Sequence, residues 1–210
     1  HIKDYSFLFS RVTIDLGNSP ESLLPVNERI KNYKKGSDPA LTALYFQFGR
    51  YLLISSSRPG TQPANLQGIW NKDIQPAWSA NWTTNCNAQI NYWPVESANL
   101  SECHLPLIDM TREASVDGTR TAKNLYGCSG WIVHHNLDIW RTTWPVGGTG
   151  AWAIFQVGGA WLCQHIWDHY SFTLDKKFLT DNYPLLKGAT RFYLDNLQTD
   201  REGYLVTNPS

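Results

Sequence analysis

Residues 152–170, with the sequence WAIFQVGGAWLCQHIWDHY, indicate the fold class of this 210-residue chain. Their apolar side chains would surround a helix on nearly every side instead of forming one stripe. Such a helix is buried among other helices, because it has no polar face to meet water. The stretch therefore predicts the interior of an all-α bundle.

The rest of the chain has the same helical character. Asp38 is placed to cap a helix, Pro39 suits its first turn, and this helix would end near Leu53. Its apolar face is expected to contain Leu41, Leu44, Tyr45, Phe48 and Leu52. Further helices are predicted within residues 1–36 and at 85–92, 101–110, 113–126, 175–183 and 184–197. Helices joined alternately by short and long loops favour an array of helix pairs.

Two long irregular regions, residues 55–84 and 131–150, interrupt the helices. Loops of this length inside a domain are usually functional or disordered, and their many aromatic residues disfavour disorder. We therefore expect long site-forming loops. Eight of the ten tryptophans lie between Trp70 and Trp152, where they could form a core or line a ligand site.

Composition excludes several classes of function. Eighteen basic and 18 acidic residues give zero formal net charge, which disfavours binding to nucleic acid or to anionic membranes. No apolar run approaches the roughly 20 residues of a membrane span. The four cysteines are widely spaced and no Cys/His spacing suits zinc, so we predict free thiols, no metal site and no cofactor. The chain begins with His1, which leads us to expect a piece of a longer polypeptide.

Residues 81–94, NWTTNCNAQINYWP, combine four asparagines, one glutamine and three large aromatic residues without a carboxylate or imidazole. Amides both donate and accept hydrogen bonds, as the hydroxyl groups of a neutral sugar require, and aromatic rings suit the apolar face of a pyranose. Asn85 and Asn87 could instead only cap the helix that follows. Both interpretations stay open on composition alone.

Residues 131–141, WIVHHNLDIWR, form the second polar segment and hold His134, His135, Asn136, Asp138 and Arg141. A metal site is disfavoured because adjacent histidines rarely face one ion and no third ligand is suitably spaced. A structural His–Asp hydrogen-bond network and a polar wall that contacts a ligand remain as alternatives.

Five segments together resemble glycoside hydrolase family 95, the inverting α-L-fucosidases. They are YLLISSSRPGTQPANLQGIWN at 51–71, NCNAQINYWP at 85–94, HHNLDIW at 134–140, GGAWLCQH at 158–165 and LVTNPS at 205–210. The resemblance implies a partial (α/α)6 barrel, in which 38–210 form the first part of the catalytic barrel and 1–37 a helical linker into it. The remaining barrel and the flanking β-rich domains of the parent protein would then be its partners.

The resemblance also implies roles for individual residues. The family uses an asparagine as general base, polarised by an aspartate and accompanied by a second asparagine, and these positions match Asn87 and Asn85. An amide alone is too weak a base, and this arrangement departs from the usual pair of carboxylates. The general acid and the polarising aspartate are expected beyond Ser210. The sugar subsite would be lined by His134, His135, Asn136, Asp138, Trp70 and Trp140.

We therefore expect an enzyme that removes terminal α-1,2-linked α-L-fucose, with inversion, from oligosaccharides or glycoconjugates. An α-L-galactosidase is a close alternative, because a pocket discriminates weakly against one added hydroxyl. A second alternative is a carbohydrate-binding barrel without catalytic activity. A third is an α/α-barrel phosphorylase, for which Arg141 is the only candidate phosphate-binding residue. The substrate class implies a secreted, periplasmic or cell-surface protein. The 210-residue chain alone is expected to be inactive and to expose an apolar face.

Overall fold

The computed structural model describes residues 1–33 and 38–208. Its helices are α1 (Ile2–Phe9), α2 (Val26–Asn32), α3 (Pro39–Ser56), α4 (Asn87–Tyr92), α5 (Leu105–Thr121), α6 (Gly150–Ala153), α7 (Gly158–Thr173) and α8 (Lys176–Asn196). Two short antiparallel pairs join β1 (Trp82–Thr83) to β2 (Asn136–Leu137) and β3 (Gln198–Thr199) to β4 (Leu205–Val206). The all-α prediction is confirmed. In the described ranges, no helix is long and apolar enough to cross a bilayer.

Helix α3 begins as predicted and faces in an unexpected direction. The Asp38 carboxylate accepts from the Leu41 amide at 2.9 Å and also pairs with Arg29 of α2 at 2.8 Å. The predicted apolar face is largely exposed, with Tyr45 at 78%. The opposite face, including Leu53 and Ile54, is buried instead. The exposed apolar face that we expected of this chain therefore lies on α3.

Three predicted helix boundaries are wrong. The helices expected at 101–110 and 113–126 form one helix, α5, preceded by a 3₁₀ turn (Ser101–His104) and followed by a π-helical turn (Ala122–Tyr126). Helix α8 continues through Pro184, because burial of its Leu185–Phe192 side offsets the cost of a proline inside a helix, about 3 kcal/mol. The helix expected from 152 breaks before Gly158, with Ile154 in extended backbone.

The core lies where α4, α5 and α7 meet, and α8 packs along α7 after a two-residue connection. Such a short connection makes the two helices antiparallel neighbours, as in the helix pairs of a toroid. The largest completely buried side chains include Tyr92, Leu107, Met110, Leu162 and Ile166. The proposed division between residues 37 and 38 borders on positions 34–37, which lie outside the described residues.

Residues 131–134 pass unusually close to glycines on three helices. A Cβ atom at Gly118 of α5 would lie 2.6 Å from the Ile132 oxygen. A Cβ at Gly159 of α7 or at Gly188 of α8 would lie 2.7 or 2.6 Å from the Trp131 ring. Carbon atoms cannot approach so closely, so these positions admit only glycine without movement of the loop or the helices.

Trp131 holds this segment in the core. Its ring is 4% exposed, and its Nε1 donates to the Leu185 oxygen of α8 at 2.8 Å. The Ile132 amide donates to the Gly118 oxygen at 3.3 Å. The second long loop therefore begins as a fixed, buried segment, not as a flexible connection.

We predict that Gly118→Ala lowers the free energy of unfolding by about 2–3 kcal/mol, because the added methyl group overpacks against the backbone of Ile132. Gly49→Ala in α3 is the matched control, since nothing lies within 4 Å of its added Cβ. This control should gain about 0.5–1 kcal/mol from helix propensity. Urea unfolding of both variants in the full-length protein measures the difference, and equal effects would contradict the close-packing argument.

Candidate active site

The β1–β2 pair joins the two polar segments that the sequence singles out. Thr83 pairs with Asn136, and the contact continues where the Thr84 amide donates to the His135 oxygen at 2.7 Å. The Thr84 hydroxyl also donates to the His134 oxygen at 2.5 Å. The amide-rich segment and the histidine segment therefore lie side by side, although about 50 residues separate them along the chain.

Asn85 and Asn87 lie at the start of α4, and both are exposed. Cys86 occupies the cap position of this helix, where no side chain makes a capping hydrogen bond. The capping interpretation is therefore wrong. In the described residues, neither asparagine side chain has a hydrogen-bond partner, so both amides are available to a ligand.

Buried polar residues next to the two asparagines fix their backbone. Gln89 is fully buried, and its Nε2 donates to the Thr84 oxygen at 2.6 Å, which closes the turn between β1 and α4. Tyr92, at the end of α4, exchanges a 2.7 Å hydrogen bond with the Ser57 hydroxyl and accepts from the Ala64 amide. These bonds tie α4 to the end of α3 and to the first long loop.

His134 is completely buried and uses both ring nitrogens inside the protein. Its Nδ1 accepts from the Phe155 amide at 3.1 Å, which leaves Nε2 as the donor to the Tyr126 hydroxyl at 3.1 Å. Burial, together with the neighbouring His135, lowers the pKa of His134 to about 4. The ring is therefore neutral at pH 7, and its predicted contact with sugar stays a prediction.

His135 and Asn136 present acceptors without partners. His135 is 4% exposed, its Nδ1 donates to the Ala153 oxygen at 3.2 Å, and the Trp152 ring packs edge-on at 4.9 Å. Burial lowers the pKa of His135, so Nε2 carries a lone pair. Within the described residues, this Nε2 and the buried Asn136 Oδ1 have no hydrogen-bond partner. Such orphaned acceptors need a donor to complete them.

Asp138 and Arg141 serve the shape of the loop. The Asp138 carboxylate accepts from the amides of Trp140 and Thr142 at 2.9 and 3.0 Å, which forms a tight turn and leaves the Trp140 ring 84% exposed. Arg141 has a φ of 63°, in the left-handed region. In the described residues, Asp138 makes no bond to either histidine, so the structural His–Asp network is wrong.

The Arg141 guanidinium connects three parts of the chain. It bonds Glu113 of α5 at 2.7 Å and Gln62 of the first long loop at 2.6 Å, and it lies 5.4 Å from the centre of the Trp82 ring. Because all three contacts come from different elements, Arg141 fastens the two long loops to each other and to α5. A phosphate-binding role would compete with these bonds.

Trp70 belongs to the first long loop, between α3 and β1. Its ring is 46% exposed and contacts Tyr51 of α3 at 6.2 Å. In the described residues, no hydrogen bond or ring contact links Trp70 to the remaining seven. Of the eight tryptophans between 70 and 152, Trp82 and Trp131 are buried and the other six are exposed, which favours surface roles for most of them.

Comparison with known proteins identifies the family of this chain. The profile of the Glycosyl hydrolase family 95 catalytic domain matches residues 1–210. The chain belongs to glycosyl hydrolase family 95. It is 49% identical over 216 residues to "Alpha-L-fucosidase 2" of Arabidopsis thaliana, covering 100% of this chain and 26% of that protein. It is 38% identical over 216 residues to "Probable alpha-fucosidase A" of Aspergillus niger, with 100% and 27% covered. The family 95 chain thus spans about a quarter of the length of these relatives.

Sequence reasoning missed one group of ionisable residues in this family 95 chain. Glu96, His104, His165 and His169 come together in the core, although 73 positions separate the first from the last. The only local signal is that His165 and His169 lie one turn apart on α7. All four cysteines are free thiols, as predicted, and three of them are buried.

We predict that the free energy of unfolding falls as the pH drops from 6.5 to 4, and that His134 contributes about 2–3 kcal/mol of this fall. An unfolded histidine binds its proton near pH 6.5, whereas buried His134 binds it only near pH 4, so acid favours the unfolded chain between these values. His134→Gln should show a weaker pH dependence in urea unfolding of the full-length protein. The exposed control His1→Gln should not, and identical profiles for the two variants would contradict the prediction.

Proposed function

We propose that the full-length protein is a glycoside hydrolase that removes terminal α-L-fucose from oligosaccharides or glycoconjugates. Family membership and the fucosidase names of the relatives support the reaction class. The observation that carries the proposal is the pair of exposed, unbonded amides, Asn85 and Asn87, held by the β1–β2 pair beside the orphaned acceptors of His135 and Asn136.

Unpaired acceptors favour a neutral, hydroxyl-rich ligand. His135 Nε2 and Asn136 Oδ1 lack a partner but are closed off from solvent, so a sugar hydroxyl would reach them only after the side chains over them move, and its bond would then remove the cost of a buried acceptor without a partner. The charged groups nearby, Asp138 and Arg141, already bond within the protein. A sugar without charge therefore fits this surface better than an anionic ligand does.

In the proposed mechanism, Asn87 orients the attacking water and Asn85 stands beside it. The water oxygen bonds to the anomeric carbon while the bond from that carbon to the leaving oxygen breaks on the opposite face, which inverts the configuration. A glutamate elsewhere in the full-length protein would protonate the leaving oxygen. The proton of the water would pass through the Asn87 amide towards an aspartate that polarises it.

Specificity for α-1,2-linked fucose is part of the proposal, with Trp70 and Trp140 as walls beside the sugar. Both rings are exposed and offer flat apolar faces. Fucosylated glycans occur mainly outside the producing cell, so we also propose that the protein acts in the periplasm, at the cell surface or after secretion.

Proton NMR of the full-length protein with an α-1,2-fucosylated oligosaccharide tests the reaction. Fucose that appears first as the β-anomer would support hydrolysis with inversion. Fucose that appears first as the α-anomer would contradict inversion, but it would still support an α-L-fucoside as the substrate. If only L-galactose is released, from a matched α-L-galactoside, the substrate is an α-L-galactoside and not a fucoside. Binding of the oligosaccharide without release of any sugar would identify a carbohydrate-binding protein.

We predict that Asn87→Ala lowers kcat for the fucoside by about 10²–10⁴-fold, because the positioned base is lost, and that KM changes little. Asn18→Ala removes an exposed asparagine outside both polar segments and serves as the control. Steady-state kinetics of the two full-length variants provide the comparison. Retention of wild-type kcat in Asn87→Ala would remove this residue from the reaction.

The chain of 210 residues alone is predicted to hydrolyse no fucoside, since the glutamate and the polarising aspartate would be lacking. Release of fucose by the separate chain, measured with the same oligosaccharide, would contradict this expectation and place the general acid within residues 1–210.

A further inference from the structure

Four buried side chains form a group that the proposed hydrolysis does not use. Glu96 follows α4, His104 ends the 3₁₀ turn before α5, and His165 and His169 lie on α7. Each is at most 7% exposed. We name this group the buried imidazole cluster.

Hydrogen bonds connect the whole cluster. Glu96 Oε1 accepts from Nδ1 of His104 and from Nδ1 of His169, both at 2.7 Å. The second oxygen, Oε2, accepts from the Ser101 hydroxyl at 2.5 Å. His104 Nε2 lies 2.8 Å from His165 Nδ1. The carboxylate therefore lies at the centre and is held by two elements, the 3₁₀ turn with Ser101 and His104 and helix α7 with His169.

The cluster contains a buried negative charge without a fixed cation. Glu96 is 7% exposed, and its two oxygens accept hydrogen bonds from His104, His169 and Ser101, as an ionised carboxylate does. In the described ranges, no lysine or arginine side chain bonds this carboxylate. An ion of opposite charge would stabilise it strongly, because a buried charge is costly unless it is paired.

We propose that Glu96, His104 and His169 bind a divalent transition-metal cation of the zinc type. Glu96 Oε1 and the two imidazole Nδ1 atoms lie within 4.8 Å of one another. Each Nδ1 now donates its proton to the carboxylate, and on binding of the cation at Nδ1 this proton would move to Nε2 of the same ring, so that both imidazoles stay neutral. Two imidazoles and one carboxylate form a ligand set that suits zinc far better than calcium or magnesium.

The surroundings are those of a metal site. Histidines that bind metals are usually oriented by a hydrogen bond at the other ring nitrogen, and His165 lies at this position on His104. Ser101 holds the second carboxylate oxygen in the same way. Since the three ligands come from separate elements, the cation would join α7 to the turn before α5 and to the segment that follows α4.

Zinc binding to the full-length protein tests the proposal. The protein is first treated with a chelator and dialysed, then titrated with Zn²⁺ by calorimetry and with Co²⁺ by absorption spectroscopy. We expect the wild-type protein to bind one equivalent of Zn²⁺ more than His169→Gln does. If both bind the same number, the wild type should bind Zn²⁺ at this site at least 100-fold more tightly. Asp168→Asn is the matched control, because it removes an exposed carboxylate next to His169 and leaves the cluster intact.

Circular dichroism checks that the variants fold. If His169→Gln does not fold, the comparison is repeated with Glu96→Gln. X-ray absorption of the zinc-loaded wild-type protein adds a measurement that needs no variant, and only nitrogen and oxygen ligands are expected. Equal zinc stoichiometry and affinity in wild type and folded His169→Gln or Glu96→Gln would overturn the proposal. Sulfur ligands at the bound zinc, or no zinc bound by the wild type, would also overturn it.

Discussion

The close approach of residues 131–134 to the glycines of α5, α7 and α8 is the constraint on which the candidate site depends. Trp131 fills the space between these helices, and its indole nitrogen bonds Leu185. The next residues leave the core in a fixed direction, so that His134 bonds the Tyr126 hydroxyl and His135 packs edge-on against the Trp152 ring. A larger side chain at any of these glycines would shift the histidines together with the backbone.

Buried polar residues connect the fixed histidine segment to the backbone of Asn85 and Asn87. Thr84 bonds the backbone of the histidine segment with both its amide and its hydroxyl, and Gln89 closes the turn that follows. Arg141 ties the middle of the second loop to the first. In a folded domain, such bonded polar residues rigidify loops, and here they add to buried apolar residues of the same loops, such as Trp82 and Trp131. The exposed amides of Asn85 and Asn87 are thereby presented on a stiff support.

The sequence predicts elements that local chemistry controls and misses those that depend on distant partners. The start of α3 follows from Asp38 and Pro39 alone. Its orientation does not, because Leu53 and Ile54 are buried by other helices and the apolar stripe of Tyr45 is not. The continuity of α8 through Pro184 likewise depends on packing against α7, which overrides a local signal. The two polar segments were found by composition, whereas their pairing requires the β1–β2 contact. Glu96 and His169 have no shared sequence pattern, so only the folded chain brings them together.

The position of Trp131 also has a consequence for the order in which the chain assembles during synthesis. Its indole bonds Leu185, 54 residues later, and packs against Gly188 of the same helix. A ribosome needs about 3–10 s to add that many residues, and during this time α5 is complete and α7 is being added without the helix that covers the ring. A large aromatic side chain is therefore exposed on the nascent chain until α8 emerges. The speed of translation between these two positions therefore sets how long this side chain stays exposed.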